Sequence, residues 1–302
     1  MRKQLLQVAV LLLFLNSLGG YVASGAELKK TIAVSRFENS ADVTGQAAIG
    51  TAMADQLADA LIQSAKFVVI ERQTLEDIIA EQDIAASGRA AASQVAQTGK
   101  IIPAQILIKG TVSEFEAETT KGASGITVSG ISLGSSKSQA HVAVILRIID
   151  STSGQVLDSV RVEGEANAKG IKLGVDKGSV DFGTESFKKT PLGKATQIAI
   201  DKAVVELSKR LAKVPFEGRI VKVEGDTIFA NIGSRNNVTP GSIFNVVVEA
   251  EALTDPVTGE RLGAERATVG KIKISSVEEK FSKATVESGE GFDRGMILTE
   301  AR

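Results

Sequence analysis

The segment FVVIERQTLEDIIAEQ, residues 67–82, combines two patterns that together indicate an α/β fold. An apolar run of four residues, 67–70, predicts a strand that is buried on both faces. The segment 73–86 predicts a helix, because its apolar residues recur at helical spacing: Leu75, Ile78 and Ile79. A buried strand that passes directly into a helix is the basic unit of an α/β sandwich.

Between the strand and the helix lies the polar sequence Glu71, Arg72 and Gln73. No catalytic partner for these residues is recognisable in the sequence. We expect them to fix the strand-to-helix turn or to bridge to a neighbouring subunit. Thr74 is the expected N-cap of the helix, and Asp77 supplies the negative charge that a helix start favours.

The flanking sequence continues the same architecture. The patterns predict a strand at 31–37, a helix at 46–66, a strand at 104–118, two long antiparallel strands within 141–165 that are joined by the turn 150–155, and a helix at 191–212. The fold class expected from them is α+β, with an α/β sandwich over residues 27–214.

Two inserts rich in Gly, Ser and Thr interrupt this sandwich at 119–140 and 166–190. Each has the length of a hairpin with strands of the 9–11 residues that a tilted membrane strand needs. Their apolar residues alternate with polar ones: Ile126, Val128, Ile131 and Leu133 in the first, and Ile171, Leu173, Val175, Val180 and Phe182 in the second. Such alternation fits a membrane hairpin or a solvated one, and the pattern alone favours the solvated hairpin because the signal of a membrane strand is weak.

After Pro215 the sequence predicts only strands and turns, which form a small all-β barrel over residues 215–302. A weak internal repeat supports two related hairpin units in this barrel. Ala230, Ile232 and Gly241 have the same spacing as Ala284, Val286 and Gly295. The loop 254–263 is expected to be a long hairpin tip between the two units, with Pro and Gly as turn formers.

The first 26 residues have the composition of a signal peptide. Arg2 and Lys3 precede an apolar stretch at 5–15, and small residues that suit cleavage follow. We therefore expect an exported protein. The chain contains no Cys, which excludes disulfides and thiolate chemistry. Its net charge of −1 and the absence of Trp argue against a nucleic-acid partner.

The residues do not predict an enzyme, a metal site or a cofactor. His141 is the chain's one histidine, and a lone histidine cannot assemble a metal cluster. The Gly-rich segment 122–134 lacks the Lys and the following helix of a phosphate-binding loop. The serines lie outside any Gly-x-Ser-x-Gly elbow.

Several segments resemble the curli production assembly/transport component family, whose members form a ring-shaped secretion channel in the bacterial outer membrane. They are the strand that ends in Glu71-Arg72-Gln73 with a Leu two residues later, IAVSRFEN at 32–39, ILIKGTVSEFE at 106–116 and VAVILRIIDSTSGQVL at 142–157. The two inserts fall where that family carries two membrane hairpins per subunit. The resemblance therefore favours membrane hairpins, with the nine alternating apolar residues facing lipid.

The resemblance implies a homo-oligomeric ring associated with the outer membrane, and exported protein cargo or periplasmic accessory proteins as partners. Two features differ from the family: the chain has no Cys for lipidation, and the link 38–48 carries none of the aromatics of the family's constriction loop. The region 216–302 is similar to the last domain of the flagellar assembly ring protein T. That similarity supports an alternative function, a soluble periplasmic ring or scaffold without a pore.

Overall fold

The computed structural model describes residues 27–41, 46–87, 101–121, 126–128, 131–133, 136–169, 185–259 and 261–301. The predicted signal peptide at 1–26 lies outside the described residues. So do the alternating apolar residues predicted for the second insert, Ile171 to Phe182.

The N-terminal part of the chain forms a sheet with helices on one face. Its strand order is β3-β1-β4-β7-β8, and a short strand β2 also pairs with β4. The strands are β1 Thr31–Val34, β2 Glu38–Asn39, β3 Val68–Ile70, β4 Ile106–Lys121, β7 Ser136–Asp150 and β8 Val156–Lys169. β1 runs parallel to β3 and β4, whereas β4, β7 and β8 are antiparallel.

The described helices are α1 Gln46–Gln63, α2 Leu75–Ala86, α3 Glu185–Lys189 and α4 Pro191–Leu211. α1, α2 and α4 confirm the three predicted helices, whereas α3 was not predicted. The backbone N–H of Gly193 donates to Thr190 Oγ1 at 3.0 Å, which caps α4, and Pro191 occupies its first turn. The core between helices and sheet is built from large apolar side chains, among them Ile32, Met53, Leu57, Leu146 and Leu207.

The prediction that segment 67–70 is buried on both faces is wrong. All three residues of β3 are half-buried, because among the described strands β3 lies at the edge of the sheet and pairs with β1 alone. An apolar run indicates that a strand packs against other parts of the protein. It does not show how many neighbouring strands pair with it. The turn 151–155 joins β7 and β8 as predicted, with Gly154 at φ 74°.

Strand pairing in the sheet continues beyond the points at which the sequence becomes rich in Gly, Ser and Thr, so the two inserts are shorter than predicted. β4 and β7 remain paired from Ile106 opposite Asp150 as far as Lys121 opposite Ser136, and β8 continues to Lys169. At the other end of the second insert, residues 185–189 form helix α3 rather than a hairpin strand, and Phe187 is buried. Hydrogen bonding of the backbone continues through Ser- and Thr-rich sequence because it does not require apolar side chains.

The C-terminal part of the chain forms a closed barrel with strand order β10-β13-β12-β11-β14-β9, as predicted. Its interior is filled by Phe244, Val246, Leu298 and neighbouring apolar residues. The strands are β9 Glu217–Glu224, β10 Thr227–Ala230, β11 Ile243–Thr254, β12 Arg261–Val277, β13 Ser282–Gly289 and β14 Ile297–Glu300.

The predicted repeat in the barrel is confirmed at its two glycine turns. Gly241 has φ 88° and Gly295 has φ 91°, a backbone conformation that favours glycine. The N–H of Gly241 donates to the carbonyl of Ile274, and that of Gly295 to the carbonyl of Ile220, both at 2.8 Å. The match fails at the central apolar pair, since Ile232 is 2% exposed and Val286 is 47% exposed.

Residues 27–30, which we name the N-terminal strap, lie against the barrel although they precede β1. Asn236 Nδ2 donates to the carbonyl of Lys29 at 2.9 Å, and Asn237 Nδ2 to that of Glu27 at 3.0 Å. Leu28 packs on the barrel's apolar core. We expected the strap to belong to the sandwich; it is instead shared between the two parts of the chain.

A further hydrogen bond joins the two parts at the start of β4. Gln105 Nε2 donates to the carbonyl of Glu217, the first residue of β9. The barrel therefore lies beside the end of the sheet at which β1 and β4 begin. Among the helices that the structure describes, none combines the length and the hydropathy required to cross a bilayer.

Helix α4 lies so close to β8 that Gly164 leaves no room for a side chain. A Cβ at this position would stand 1.9 Å from the carbonyl oxygen of Ala195 and 2.7 Å from the nitrogen of Ala199. We expect Gly164→Ala to lower the free energy of unfolding by about 3 kcal/mol, because backbone atoms must move to relieve the contact. Chemical denaturation measures the change, and Ser159→Ala, at an exposed position of the same strand, is the control. Equal stability of both variants would contradict the close packing.

Candidate functional site

The segment Glu71-Arg72-Gln73 forms the turn between β3 and α2. The carboxylate of Glu71 accepts hydrogen bonds from the backbone N–H groups of Gln73 and Thr74, the latter at 3.2 Å. Glu71 thereby satisfies two donors at the start of α2. Thr74 occupies the N-cap position, but its side chain makes no capping hydrogen bond, so the predicted role of Thr74 is wrong.

Arg72 is held by carbonyl groups of its own chain. Its Nη1 donates to the carbonyl of Glu71 at 3.0 Å, and its Nη2 to the carbonyl of Ile102 at 2.6 Å. The guanidinium thus ties the turn to the segment that leads into β4. These bonds are consistent with the prediction that Arg72 helps to fix the strand-to-helix turn. A bridge from this turn to a neighbouring subunit stays a prediction.

A cleft of 360 Å³ opens between α1 and the end of β3. The apolar residues that line it are Val34, Ala58, Ile62, Val69 and Ile70, and the polar ones are Asp55, Asp59, Glu71, Arg72 and Gln73. All three predicted turn residues therefore meet at one concave surface on the β3 edge of the sheet. Asp55 and Asp59, which the sequence analysis did not single out, come from the exposed side of α1.

Gln73 is only partly satisfied inside this cleft. Its Nε2 donates to Asp55 Oδ1 at 2.6 Å, while its Oε1 is buried and has no hydrogen-bond partner among the described residues. The reverse orientation of the amide would place Oε1 against the Asp55 carboxylate, so the observed orientation is the favourable one for an ionised Asp55. The amide oxygen of Gln73 is therefore left buried and unsatisfied among the described residues.

Partial burial raises the pKa of the Asp55 carboxyl above its usual range, and the negative charges of Glu71 and Asp59 raise it further. The hydrogen bond from Gln73 and the charge of Arg36 oppose this shift. A carboxyl whose pKa is raised by partial burial, at a concave surface, is typical of a site that binds something.

A second charged cluster lies on the face of the sheet that carries no helix. His141 Nε2 lies 2.7 Å from Glu114 Oε2, and Arg161 contacts both Glu114 and Glu163. The hydrogen bond from Arg161 is the main cause that lowers the pKa of Glu114, and the charge of His141 adds to it. Among the described residues, no group of His, Asp and Glu side chains has the arrangement of a metal site. We interpret the cluster as surface ion pairs that brace the long strands.

The structure pairs the apolar residues of the first insert. Strand β5, Ile126–Val128, is antiparallel to β6, Ile131–Leu133, with Ile126 opposite Leu133 and Val128 opposite Ile131. The four residues occupy equivalent alternate positions of this ladder. The corresponding residues of the second insert, Ile171, Leu173, Val175, Val180 and Phe182, lie outside the described residues.

We expect Glu71→Ala to destabilise the protein by about 1 kcal/mol, the usual effect of losing a side-chain cap at a helix start. Glu71→Gln keeps an acceptor oxygen and should lose less. Denaturation midpoints of the two variants and of the natural sequence provide the comparison. If the Ala and Gln variants were equally destabilised, charge rather than hydrogen bonding would be the contribution of Glu71.

Asp55→Asn should stabilise the protein slightly at pH 7, by less than about 1 kcal/mol because the carboxyl is partly exposed. A carboxyl whose folded pKa is raised lowers stability above that pKa, and the effect vanishes below the unfolded pKa. The gain should therefore be present at pH 7 and disappear as the pH falls towards 3.8, the ordinary value for Asp. Denaturation curves of both proteins across this range measure it; a gain that grows on acidification would contradict the assignment.

Comparison with known proteins agrees with the segments quoted above. A family model described as "Curli production assembly/transport component CsgG" matches residues 17–228. Curated proteins of that name from Escherichia coli (strain K12) and Salmonella typhimurium (strain LT2) are 25% identical over 123 residues. That match spans 39% of this chain and 44% of the length of each relative.

Solved structures give weaker matches. The hypothetical protein CT253 from Chlamydia trachomatis is 14% identical with a TM-score of 0.38, and the match covers 61% of this chain and 98% of that one. The PelC dodecamer from Paraburkholderia phytofirmans is 16% identical with a TM-score of 0.29, over 62% and 90% of the two chains. Because the family model covers well over half of the sequence, the chain belongs to the curli production assembly/transport component CsgG family.

Proposed function

We propose that the protein is an exported subunit of a homo-oligomeric ring that forms a secretion channel in the outer membrane. Family membership supports a role in transport or secretion. In this proposal a hairpin within each of the inserts 119–140 and 166–190 crosses the membrane, while the helix at Glu185–Lys189 stays with the sandwich. Protein cargo passes through the ring, and no enzymatic step, cofactor or nucleic acid is involved.

The long ladder of the first insert is the observation that carries the proposal. β4 and β7 remain paired as far as Lys121 and Ser136, with one register shift between Val112 and Glu114, and the β5–β6 pair lies in the chain between them. β4 has 16 residues, and at about 3.3 Å per residue it extends about 50 Å from the barrel end of the sheet. The paired strands thus continue as far as Lys121 and Ser136, and the chain between these two residues carries the apolar positions Ile126, Val128, Ile131 and Leu133.

A membrane hairpin of this kind needs neighbours on both sides. Unpaired backbone N–H and C=O groups cannot remain exposed in the hydrocarbon core, so strands span a bilayer only as a closed barrel. One chain with two hairpins has too few strands to close a barrel of its own, since the smallest bacterial outer-membrane barrels have eight. A ring of identical subunits would supply the remaining strands.

In the second insert, Ile171, Leu173, Val175, Val180 and Phe182 would face lipid in the same way. We propose that the sandwich, 27–214, builds the ring. The barrel, 215–302, projects into the periplasm. The barrel lies beside the beginnings of β1 and β4, at the opposite end of the sheet from the β5–β6 tip, which supports this arrangement.

A soluble ring or scaffold of the cell envelope is the second candidate. The C-terminal barrel supports it, because the family model ends at residue 228 and leaves most of the barrel unaccounted for. A scaffold would use the barrel as a docking module and would leave the inserts in water. It would be oligomeric without detergent and would not conduct ions.

Membrane fractionation and single-channel conductance of the purified full chain decide between the two. We expect the protein in the outer-membrane fraction and discrete conductance steps in planar bilayers. A soluble oligomer without conductance would favour the scaffold, and a soluble monomer would exclude both.

We expect Ile131→Arg to reduce membrane insertion strongly, because an arginine on the lipid face of a barrel costs about 2–4 kcal/mol at the bilayer midplane. Ser132→Arg is the matched control, since residue 132 lies at the alternate position of the same strand and pairs with Thr127. The yield of detergent-resistant oligomer in the membrane fraction measures the effect. Equal loss, or no loss, in both variants would contradict the proposed lipid face.

A further inference from the structure

The outer surface of the barrel carries exposed lysines on three neighbouring strands. The residues that alternate with them along β12 and β13 are buried in the barrel, so the lysine side chains point outward. Two phenylalanines lie among them. We name this surface the lysine face, and it consists of Lys222 on β9, Phe229 on β10, Lys271 and Lys273 on β12, Lys283 on β13, and Phe281 just before β13.

The register of the strands brings these residues together. Phe229 is paired with Lys222 on one side and with Lys283 on the other. Lys273 is paired with Thr285, two residues along β13 from Lys283. At about 4.8 Å between strands, the backbone positions of Lys222 and Lys283 are about 10 Å apart. The lysines therefore occupy one continuous part of the barrel wall.

The ring of Phe229 lies between two of the cations. Lys222 Nζ and Lys283 Nζ are each 5.8 Å from its centroid, within the range of a cation–π contact. The ring of Phe281 lies 6.4 Å from that of Phe229, and Phe281 is 39% exposed. An apolar strip thus runs between the ammonium groups and reaches the solvent at Phe281.

Carboxylates neutralise only part of the lysine face. Lys222 is paired with Glu224 at 2.9 Å. The other three lysines lie farther than 4 Å from every carboxylate oxygen of the described residues. Glu278, Glu279 and Glu287 lie before and along β13 and are exposed, without an ion pair to these lysines. The face therefore keeps three unpaired cations beside an apolar strip, a combination that favours an anionic ligand.

Closure of the barrel limits how a ligand can be recognised here. The six strands pair around the whole barrel, so their closed part leaves no strand edge free. An extended peptide therefore cannot bind by adding a strand with main-chain hydrogen bonds. Recognition falls to the ammonium groups and the phenyl rings. A matching ligand carries several anionic groups and has apolar surfaces between them.

We infer that the lysine face binds an anionic glycan of the peptidoglycan type. The C–H faces of its sugar rings suit the apolar strip of Phe229 and Phe281, and the carboxylates of its peptides suit the unpaired lysines. A nucleic acid fits less well, because Phe229 is half-buried and offers no open face on which a base could stack. The inference rests on the export that we propose above, and it does not require the ring or the channel.

Co-sedimentation of the purified full chain with insoluble peptidoglycan tests the inference. We expect the protein in the pellet at low salt and its release at high salt, because screening weakens contacts between exposed charges. Chitin has a related sugar backbone without carboxylates, and it should retain about tenfold less protein. Absence of binding to peptidoglycan, or equal retention by chitin, would overturn the inference.

Charge reversal locates the binding surface. The double variant Lys273→Glu with Lys283→Glu should lower the retained fraction about tenfold, because two unpaired cations become carboxylates. Lys194→Glu with Lys213→Glu is the matched control, since both positions are exposed on the sandwich and the net charge changes equally. Similar losses in the two double variants would show a dependence on total charge alone and would contradict the lysine face.

Removal of the exposed ring tests the apolar strip. Phe281→Ala should weaken retention several-fold, whereas Phe281→Tyr, which keeps an aromatic ring, should retain it. Denaturation midpoints of the variants show whether the barrel stays folded. A folded Phe281→Ala variant that binds as well as the natural protein would refute recognition of the sugar face.

Two other polyanions serve as competing probes: a single-stranded DNA oligonucleotide and vesicles that contain phosphatidylglycerol. Binding to either without binding to peptidoglycan would overturn the inference. Membrane fractionation and conductance of the same preparation separate the two proposals. A channel that does not bind peptidoglycan would refute this inference alone, and a non-conducting protein that binds it through the lysine face would refute the channel alone.

Discussion

The antiparallel ladder of β4, β7 and β8 is the constraint on which the rest of the structure depends. Its three strands are nearly three times the length of an ordinary strand, and each pairs with its neighbour almost without interruption. One end of the ladder carries the helices and meets the barrel, and the other end carries the first insert. Because paired strands cannot slide by one residue without exposing the core side chains, the ladder fixes the position of every other element.

Much of this architecture could be predicted from the sequence, since it depends on local patterns. Helix α4 has a cap, a Pro at its start and a regular apolar face, and the turn at 151–155 has the residues that such a turn requires. The errors occur where a structural feature depends on distant residues. Segment 67–70 is an edge strand because none of the described strands lies beyond it, and the strap is held by Asn236 and Asn237.

The candidate site was predicted only in part, for the same reason. The polar turn at Glu71 to Gln73 stands out in the sequence, but its neighbours Asp55 and Asp59 resemble any exposed carboxylates of an amphipathic helix. Their proximity to the turn follows from the packing of α1 beside β3. A carboxyl with a raised pKa and a buried acceptor without a donor lower the stability of the isolated chain, and such local costs commonly occur where a protein binds a partner.

The N-terminal strap has a consequence for the order in which the chain acquires its structure. Residues 27–30 are joined to Asn236 and Asn237 across more than 200 positions of sequence, with separations of 207 and 210 for the two side-chain bonds. A chain that enters its compartment N-terminus first presents the strap long before its binding site on the barrel exists. The first described residues therefore become fixed late, and contacts of such sequence separation slow folding.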